Sequence, residues 1–363
     1  MKRICVVTTC RADYGYLCFI MKDIDASLNL QLQIIAPYNH HNRSEIWTEF
    51  IQNGEACGEC TNEINSIDDF GTFYTECLQS MRTLQPDTVL CLGDRWEMLA
   101  AATAALLLNI TIAHLHGGEA TTGSFDNEVR NSITQMATYH FAATKPYAKN
   151  IYKLTGSPHT YNVGSPGLDW LTRSKLLSKD ELQQRISITL NQPFIIACLH
   201  PVTKELERTE QYAKNWIEAL YQTHEPVIFI QPNIDPENDI IRKVIKESFY
   251  SYDPDITNNW CVFDNLDHLT YLSLLQYAEL MVGNSSSGII ESPSFGIPSI
   301  SVGNRQDGRI KGYNTFTCPC ETEAILDAID RAREWNGLIG KCDNPYGSGN
   351  SSKKIVEILE DVL

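Results

Sequence analysis

The sequence predicts an α/β protein made of two doubly wound, Rossmann-like halves. Three observations lead there. Short runs of β-branched and apolar residues alternate with stretches of helical periodicity along most of the 363 residues. The alternation stops at a break rich in Gly, Pro and Ser near 156–167 and then begins again. Polar and glycine-containing clusters fall directly after predicted strands, where open α/β sheets bind their ligands. At about 150 residues per domain the length suggests two domains. We place them at 1–168 and 169–363, the final helix being able to pack back on the first.

Composition narrows the class. Hydrophobic residues make up 43% and charged residues 20%, as in ordinary globular chains. The 29 basic and 45 acidic residues give a formal charge of −16, which argues against a nucleic-acid partner because backbone binding needs a concentrated basic surface. The apolar run at 4–9 is too short for a signal segment, and no stretch approaches the ~20 apolar residues that cross a bilayer. A cytoplasmic protein with no membrane partner is therefore expected. The 12 cysteines are scattered, many inside apolar runs, and read as reduced thiols. Cys57 and Cys60 form one C-x-x-C, but it lacks the second ligand pair of a zinc site and the βαβ context of a redox site. No metal is expected.

The first half opens with a strand at 4–8, a loop at 9–15 and a helix over 16–27. This βα start lacks G-x-G-x-x-G, so dinucleotide binding has no support. Arg11 sits at the strand's carboxyl end, placed either to clamp a phosphate or to pair with Asp13 and fix the turn. A strand at 32–36 ends in the polar Tyr38-Asn39-His40-His41, and a helix spans 68–81. The buried strand 88–92 runs into Gly93-Asp94-Arg95-Trp96-Glu97. A helix at 97–108 and a strand at 110–113 lead to His114-Leu115-His116-Gly117-Gly118-Glu119. Paired glycines after a strand let backbone and carboxylate approach a ligand, although Glu119 also reads as a solvated loop residue. Asp126 reads equally as a helix cap, and His114 as a packing residue. A helix at 130–138 and a strand at 139–142 close this half.

The second half restarts with a strand at 194–199 ending in His200-Pro201. Helix 205–224, strand 227–230 with Gln231-Pro232-Asn233 at its end, helix 239–249, strand 260–263 and helix 266–277 follow. The apolar run 279–282 then delivers the chain into Gly283-Asn284-Ser285-Ser286-Ser287-Gly288-Ile289-Ile290-Glu291. A strand, a Gly/Ser turn and a helix start leave backbone N–H groups facing one point, where an anion binds. Each such contact contributes only about 0.3–2 kcal/mol, so several must converge on a diphosphate. Glu291 is placed to accept bonds from sugar hydroxyls. The simpler reading is a capped helix whose serines satisfy its own N–H groups. A strand over 297–302, the stretch Gly303-Asn304-Arg305-Gln306-Asp307-Gly308-Arg309, a helix at 321–335, a turn at 344–347 and a helix at 351–363 complete the chain.

Two doubly wound halves with informative strand ends imply a cleft between domains. Arg11, Asp94, His116, Glu119 and Asp126 come from the first half. His200, Asn233, Ser285, Ser286, Ser287, Gly288, Glu291, Arg305 and Arg309 come from the second. Acid–base groups on one side and phosphate and hydroxyl partners on the other suit a nucleotide-sugar.

At this point the chain resembles the hydrolysing UDP-N-acetylglucosamine 2-epimerases of sialic-acid biosynthesis and their sister enzymes of legionaminic-acid biosynthesis. The matching blocks are R-A-D-Y-G at Arg11, L-G-D-R-W-E at Asp94, H-L-H-G-G-E at His114, S-I-T around Ile133, L-H-P at His200, G-N-S-S-S-G at Gly283, G-N-R-Q-D-G-R at Gly303 and N-P-Y at Asn344. The resemblance implies the glycosyltransferase-B architecture, a homodimer, and no cofactor. It implies elimination of UDP across C1–C2 to a 2-acetamidoglycal, followed by hydration to the free manno-configured sugar. The substrate would be UDP-GlcNAc or UDP-2,4-diacetamido-2,4,6-trideoxyglucose. Asp94, Glu119 and Asp126 would share proton removal and water activation, with His116 beside them. His200, Arg11 and the serine turn would stabilise the departing diphosphate, and Glu291 would hold the ribose. Carboxylates crowded together should raise one another's pKa. Related bacterial enzymes carry a glutamate near the position of His116 or of Asn127, so the identity of the C2 base stays open among the carboxylates. Residues 38–42 and 120–125 are expected to select the sugar. A transferase of the same architecture, moving the sugar to an acceptor, and a non-catalytic nucleotide-sugar-binding protein are the competing readings.

Overall fold

The computed structural model describes residues 1–41, 50, 56–58, 60–233, 235–335 and 343–363, and for Arg11, Asn39, His41 and Ala56 the backbone only. Asn42, the last of the residues expected to select the sugar near 38–42, lies outside this set. The chain divides into two compact units. Residues 1–119, 126–173 and 346–363 form the first, and 120–125 with 174–345 form the second.

The first unit is built on seven parallel strands. They are β1 (Lys2–Val7), β2 (Leu30–Ile35), β3 (Ala56–Cys57), β4 (Thr88–Leu92), β5 (Thr111–Leu115), β6 (Tyr139–Ala142) and β7 (Thr160–Asn162), in the spatial order β3-β2-β1-β4-β5-β6-β7. Helices α1 (Arg11–Asp25), α2 (Phe70–Leu84), α3 (Trp96–Leu107), α4 (Asp126–Met136) and α5 (Lys145–Thr155) make the crossovers. The order reverses between β1 and β4. Connections leave in opposite directions there and open a crevice at the strands' carboxyl ends. One core layer joins Ile4 and Val6 of β1, Leu17, Ile20 and Met21 of α1, and Ile355 and Leu359 of the C-terminal helix Ser351–Val362. That helix is held at its start by Asp169, a fully buried carboxylate that accepts from Ser351 N at 2.8 Å and Ser352 N at 2.7 Å.

The second unit carries six parallel strands: β8 (Ile195–Cys198), β9 (Val227–Ile230), β10 (Trp260–Phe263), β11 (Leu280–Gly283), β12 (Ser299–Val302) and β13 (Thr315–Cys318). Their order is β10-β9-β8-β11-β12-β13. Helices α6 (Lys179–Ile186), α7 (Thr209–Gln222), α8 (Asn238–Ser251), α9 (His268–Leu275) and α10 (Thr322–Glu334) cover it. Alternation along β8 shows why both faces are apolar. Ile195 and Ala197 join Trp216, Phe229 and Ile325 on one side, whereas Ile196 and Cys198 join Leu182, Leu274 and Met281 on the other. Here the order reverses between β8 and β11, the strands that end in His200 and in the serine turn.

Several local expectations are corrected. Helix α1 begins at Arg11, inside the expected 9–15 loop, because Asp13 reaches back to accept from Thr9 N (3.0 Å) and Thr9 Oγ1 (2.6 Å) and organises the first turn. Helix α4 begins at Asp126, not at 130. The supposed break at 156–167 contains β7, whose Thr160 pairs with His140. The element before it, α5, is capped by the Thr144 hydroxyl at its start and by Gly156 (φ +71°) at its end. Strand β13 was not expected. Among the described residues no helix is long and apolar enough to cross a membrane.

Replacing Asp169 with Ala leaves two N–H groups of the C-terminal helix without their charged acceptor. We expect urea denaturation to report a loss of about 1.5–3 kcal/mol. A change below about 0.5 kcal/mol would show that this cap does not hold the helix.

Candidate active site

In the first unit the site residues gather where β4 and β5 end. Gly93 takes φ +72°, turning the chain sharply after β4, and presents Asp94. The partner of Asp94 is Arg130 of α4, a fully buried arginine that the sequence reading passed over. Arg130 also donates through NH1 to the Glu119 carbonyl at 3.0 Å. One guanidinium thus fixes the loops after both strands. The only sequence signal for it was position: Arg130 lies four residues after Asp126, on the same face of one helix.

His116 and Glu119 form the second pair. His116 has φ +60°, a strained conformation for a residue with a side chain. It brings Nδ1 to 2.6 Å from Glu119 Oε1, with side-chain exposures of 8% and 0%. A carboxylate only accepts, so the proton of a neutral imidazole lies on Nδ1 and leaves Nε2 bare, 3.3 Å from Ser165 Oγ. Gly118 (φ +76°) is needed between them, since a Cβ there would stand 2.4 Å from the Tyr147 carbonyl oxygen. Asp126 is half-buried and is the first residue of α4. Asp94 faces a guanidinium and Glu119 an imidazole. The carboxyl pushed up in this unit's site is Glu97, chiefly by burial and partly opposed by Arg95, whose NH2 donates to it at 2.5 Å.

His114 is a packing residue. It is fully buried between Gly93 O (2.8 Å from Nε2) and Thr134 Oγ1 (3.1 Å from Nδ1), and burial pushes it down to about 4. Since the carbonyl only accepts, the neutral ring carries its proton on Nε2.

The second unit assembles around His200, which is 6% exposed. Asn233 N donates to its Nδ1 at 3.3 Å, so its proton lies on Nε2, directed at Cys198 Sγ 3.4 Å away. Burial pushes the Cys198 thiol up to about 12, which keeps it protonated. Asp235 Oδ2 stands 4.0 Å from His200 Nδ1 and 3.6 Å from Arg305 NH2, linking the two. It too was missed, because nothing in the turn after β9 marks it out. Arg309 is half-buried further along the Arg305 loop.

The three serines do not act alike. Ser285 and Ser286 are half-buried, with Ser287 N donating to Ser285 Oγ at 3.4 Å. The Ser287 hydroxyl lies 2.6 Å from the Tyr271 hydroxyl of α9, a bond that supports the turn from beneath. Gly288 is likewise a packing position, since a Cβ there would meet Ser299 Oγ at 2.3 Å. Two single turns follow, Ser287–Ile290 and Ser292–Phe295, and the nearly buried Glu291 lies between them. Among the described residues no three His, Cys, Asp or Glu side chains converge to hold a metal ion.

The sequence profile of the UDP-N-acetylglucosamine 2-epimerase family matches residues 22–360. The chain belongs to that family. It is 31% identical to the UDP-N,N'-diacetylbacillosamine 2-epimerase (hydrolyzing) of Legionella pneumophila, covering 100% of this chain and 96% of that protein. It is also 31% identical to the GDP/UDP-N,N'-diacetylbacillosamine 2-epimerase (hydrolyzing) of Campylobacter jejuni, over 92% and 87% of the two chains. A crystal structure of UDP-GlcNAc 2-epimerase from Neisseria meningitidis bound to UDP-GlcNAc superposes with a TM-score of 0.83. At 17% identity it covers 99% of this chain and all of that one. The family fold, two α/β domains of the glycosyltransferase-B type, is thus the fold of this chain.

Two measurements test these assignments. Below pH 6.5 an unfolded histidine takes up a proton that buried His114 refuses until about pH 4. The native state therefore loses stability as pH falls from about 6.5 to 4 and loses none from this source above that window. His114→Asn should flatten that part of the stability–pH curve, and an unchanged slope would contradict the assignment. Arg130→Met takes the buried guanidinium from Asp94 and from the Glu119 carbonyl, and we expect it to cost about 3–5 kcal/mol in chemical denaturation. A near-neutral effect would show that the pair is not the hinge of this site.

Proposed function

We propose that this chain is a hydrolysing UDP-sugar 2-epimerase, converting a UDP-2-acetamido sugar and water into UDP and the free manno-configured sugar. The observation that carries the reading is the buried Arg130, which binds Asp94 and the Glu119 carbonyl beside the His116–Glu119 pair. It leaves two carboxylates and an imidazole set together at the carboxyl ends of β4 and β5. A carboxylate takes the C2 proton, the C1–O bond breaks with its electron pair leaving on UDP, and a C1–C2 double bond results. Hydroxyl then adds at C1 and a proton at C2 from the opposite face. Asp94, Glu119 and Asp126 share the proton steps with His116, each positioned acid or base contributing about 10²- to 10⁴-fold.

The second unit takes UDP. His200, Arg305 and Arg309, with Ser285, Ser286 and Asn233, stabilise the diphosphate as charge develops on it, and Arg11 is a further phosphate ligand in this reading. Glu291 holds the ribose. Both relatives at 31% identity are named for the diacetylated bacillosamine sugar, which supports UDP-2,4-diacetamido-2,4,6-trideoxyglucose ahead of UDP-GlcNAc. A place in legionaminic- or sialic-acid synthesis, a cytoplasmic setting and a homodimer belong to the same reading.

Incubation with either UDP-sugar alone in D₂O tests it. UDP should be released without an acceptor, and the free sugar should carry deuterium at C2. Asp94→Asn should lower turnover by at least about a hundredfold while UDP still binds. Release that requires an acceptor, or product without deuterium, would point to a transferase. Bound UDP without turnover would point to a binding protein.

A further inference from the structure

Asn284 follows β11 inside the second unit and is 2% exposed. Its side-chain amide meets both backbone groups of one residue: Oδ1 accepts from His200 N at 2.6 Å, and Nδ2 donates to His200 O at 2.8 Å. This two-point bond extends the ladder between β11 and β8 by one step. The backbone N–H of Asn284 continues the same ladder, donating to Cys198 O at 3.0 Å. Gly283 permits the approach, since at φ +151° a Cβ there would stand 1.8 Å from the Cys198 carbonyl oxygen. The Asn284 carbonyl, in turn, accepts from Gln306 Nε2 at 2.8 Å and faces Arg305 NH1 at 3.5 Å.

One buried residue thus ties together the loops after β8, β11 and β12. Those three loops carry His200, the serine turn and Arg305. We propose that the Asn284 side chain is a positioning group: it sets the backbone of His200 so that the imidazole meets the leaving diphosphate, and it acts on the reaction only through His200. This rests on the UDP-sugar reading above. A residue that merely filled the core would lower stability without singling out the His200 ring. A positioning residue moves that ring and adds nothing once His200 is gone.

The full-length chain and its variants Asn284→Ala, Asn284→Asp, His200→Ala and the double variant His200→Ala/Asn284→Ala test this together. Asn284→Asp keeps an acceptor for His200 N but loses the donor to His200 O, so it retains half of the bond if Asn284→Ala fails to fold. Three readouts are taken: UDP binding by calorimetry, UDP release from UDP-sugar, and the histidine-ring ¹⁵N spectrum of the chain without nucleotide. We expect each Asn284 variant to shift the His200 ring resonances and to lower kcat/KM by about tenfold or more. We also expect the double variant to be no worse than His200→Ala. Unmoved His200 resonances, or losses that multiply in the double variant, would overturn the proposal. If the unaltered chain binds no UDP, the functional reading fails by itself, and the histidine spectrum still decides the role of Asn284.

Discussion

Parallel pairing of every strand in both sheets is the constraint from which the rest follows. A parallel strand cannot be joined to its neighbour by a tight turn, so a long crossover, in most cases containing a helix, carries the chain back; the described crossover from β12 to β13 does so with a loop alone. All carboxyl ends then lie along one edge of the sheet. Where the strand order reverses, between β1 and β4 and again between β8 and β11, the outgoing loops part and leave an unfilled crevice. The residues singled out for chemistry follow these strands or their immediate neighbours in the order, β5, β9 and β12.

A crevice at strand ends is lined by polar groups that the sheet cannot satisfy, and the two units solve this differently. In the first, a buried charge does it: Arg130 neutralises Asp94 and closes on the Glu119 carbonyl, while His116 and Glu119 satisfy one another. In the second, an amide and a carboxylate share the task, with Asn284 clasping His200 and Asp235 standing between His200 and Arg305. A fixed array of charge and imidazole suits proton transfer. An arginine and an imidazole gathered at strand ends suit a polyanion, even in a chain whose overall charge is −16.

Much of this was legible before any coordinates. The strands at 88–92, 139–142 and 227–230 fall where the apolar runs put them, because a strand buried on both faces must be apolar throughout. An edge strand need not obey that rule: β10, Trp260–Phe263, is apolar all the same, but two others are not. Thr160-Tyr161-Asn162 and Thr315-Phe316-Thr317-Cys318 are paired on one side only and read as loop. The start of α1 was hidden because its organiser, Asp13, acts through a side-chain bond back to Thr9. Strand-end residues such as Asp94, Glu119 and His200 stood out because polar clusters after apolar runs are conspicuous. Arg130, Asp235 and Asn284 did not, because their meaning lies in partners 36, 35 and 84 positions away (Asp94, His200 and His200). Nor could spacing show that Ser287 turns inward to Tyr271 while Ser285 and Ser286 stay at the turn.

The measurement that bears most directly on the central claim is a crystal structure of the full chain with UDP. The account predicts the diphosphate seated at the β8/β11 crevice, within hydrogen-bonding distance of His200, Arg305 and the Ser285–Ser286 turn, with the ribose on Glu291. A nucleotide bound elsewhere, leaving that turn and His200 untouched, would contradict it.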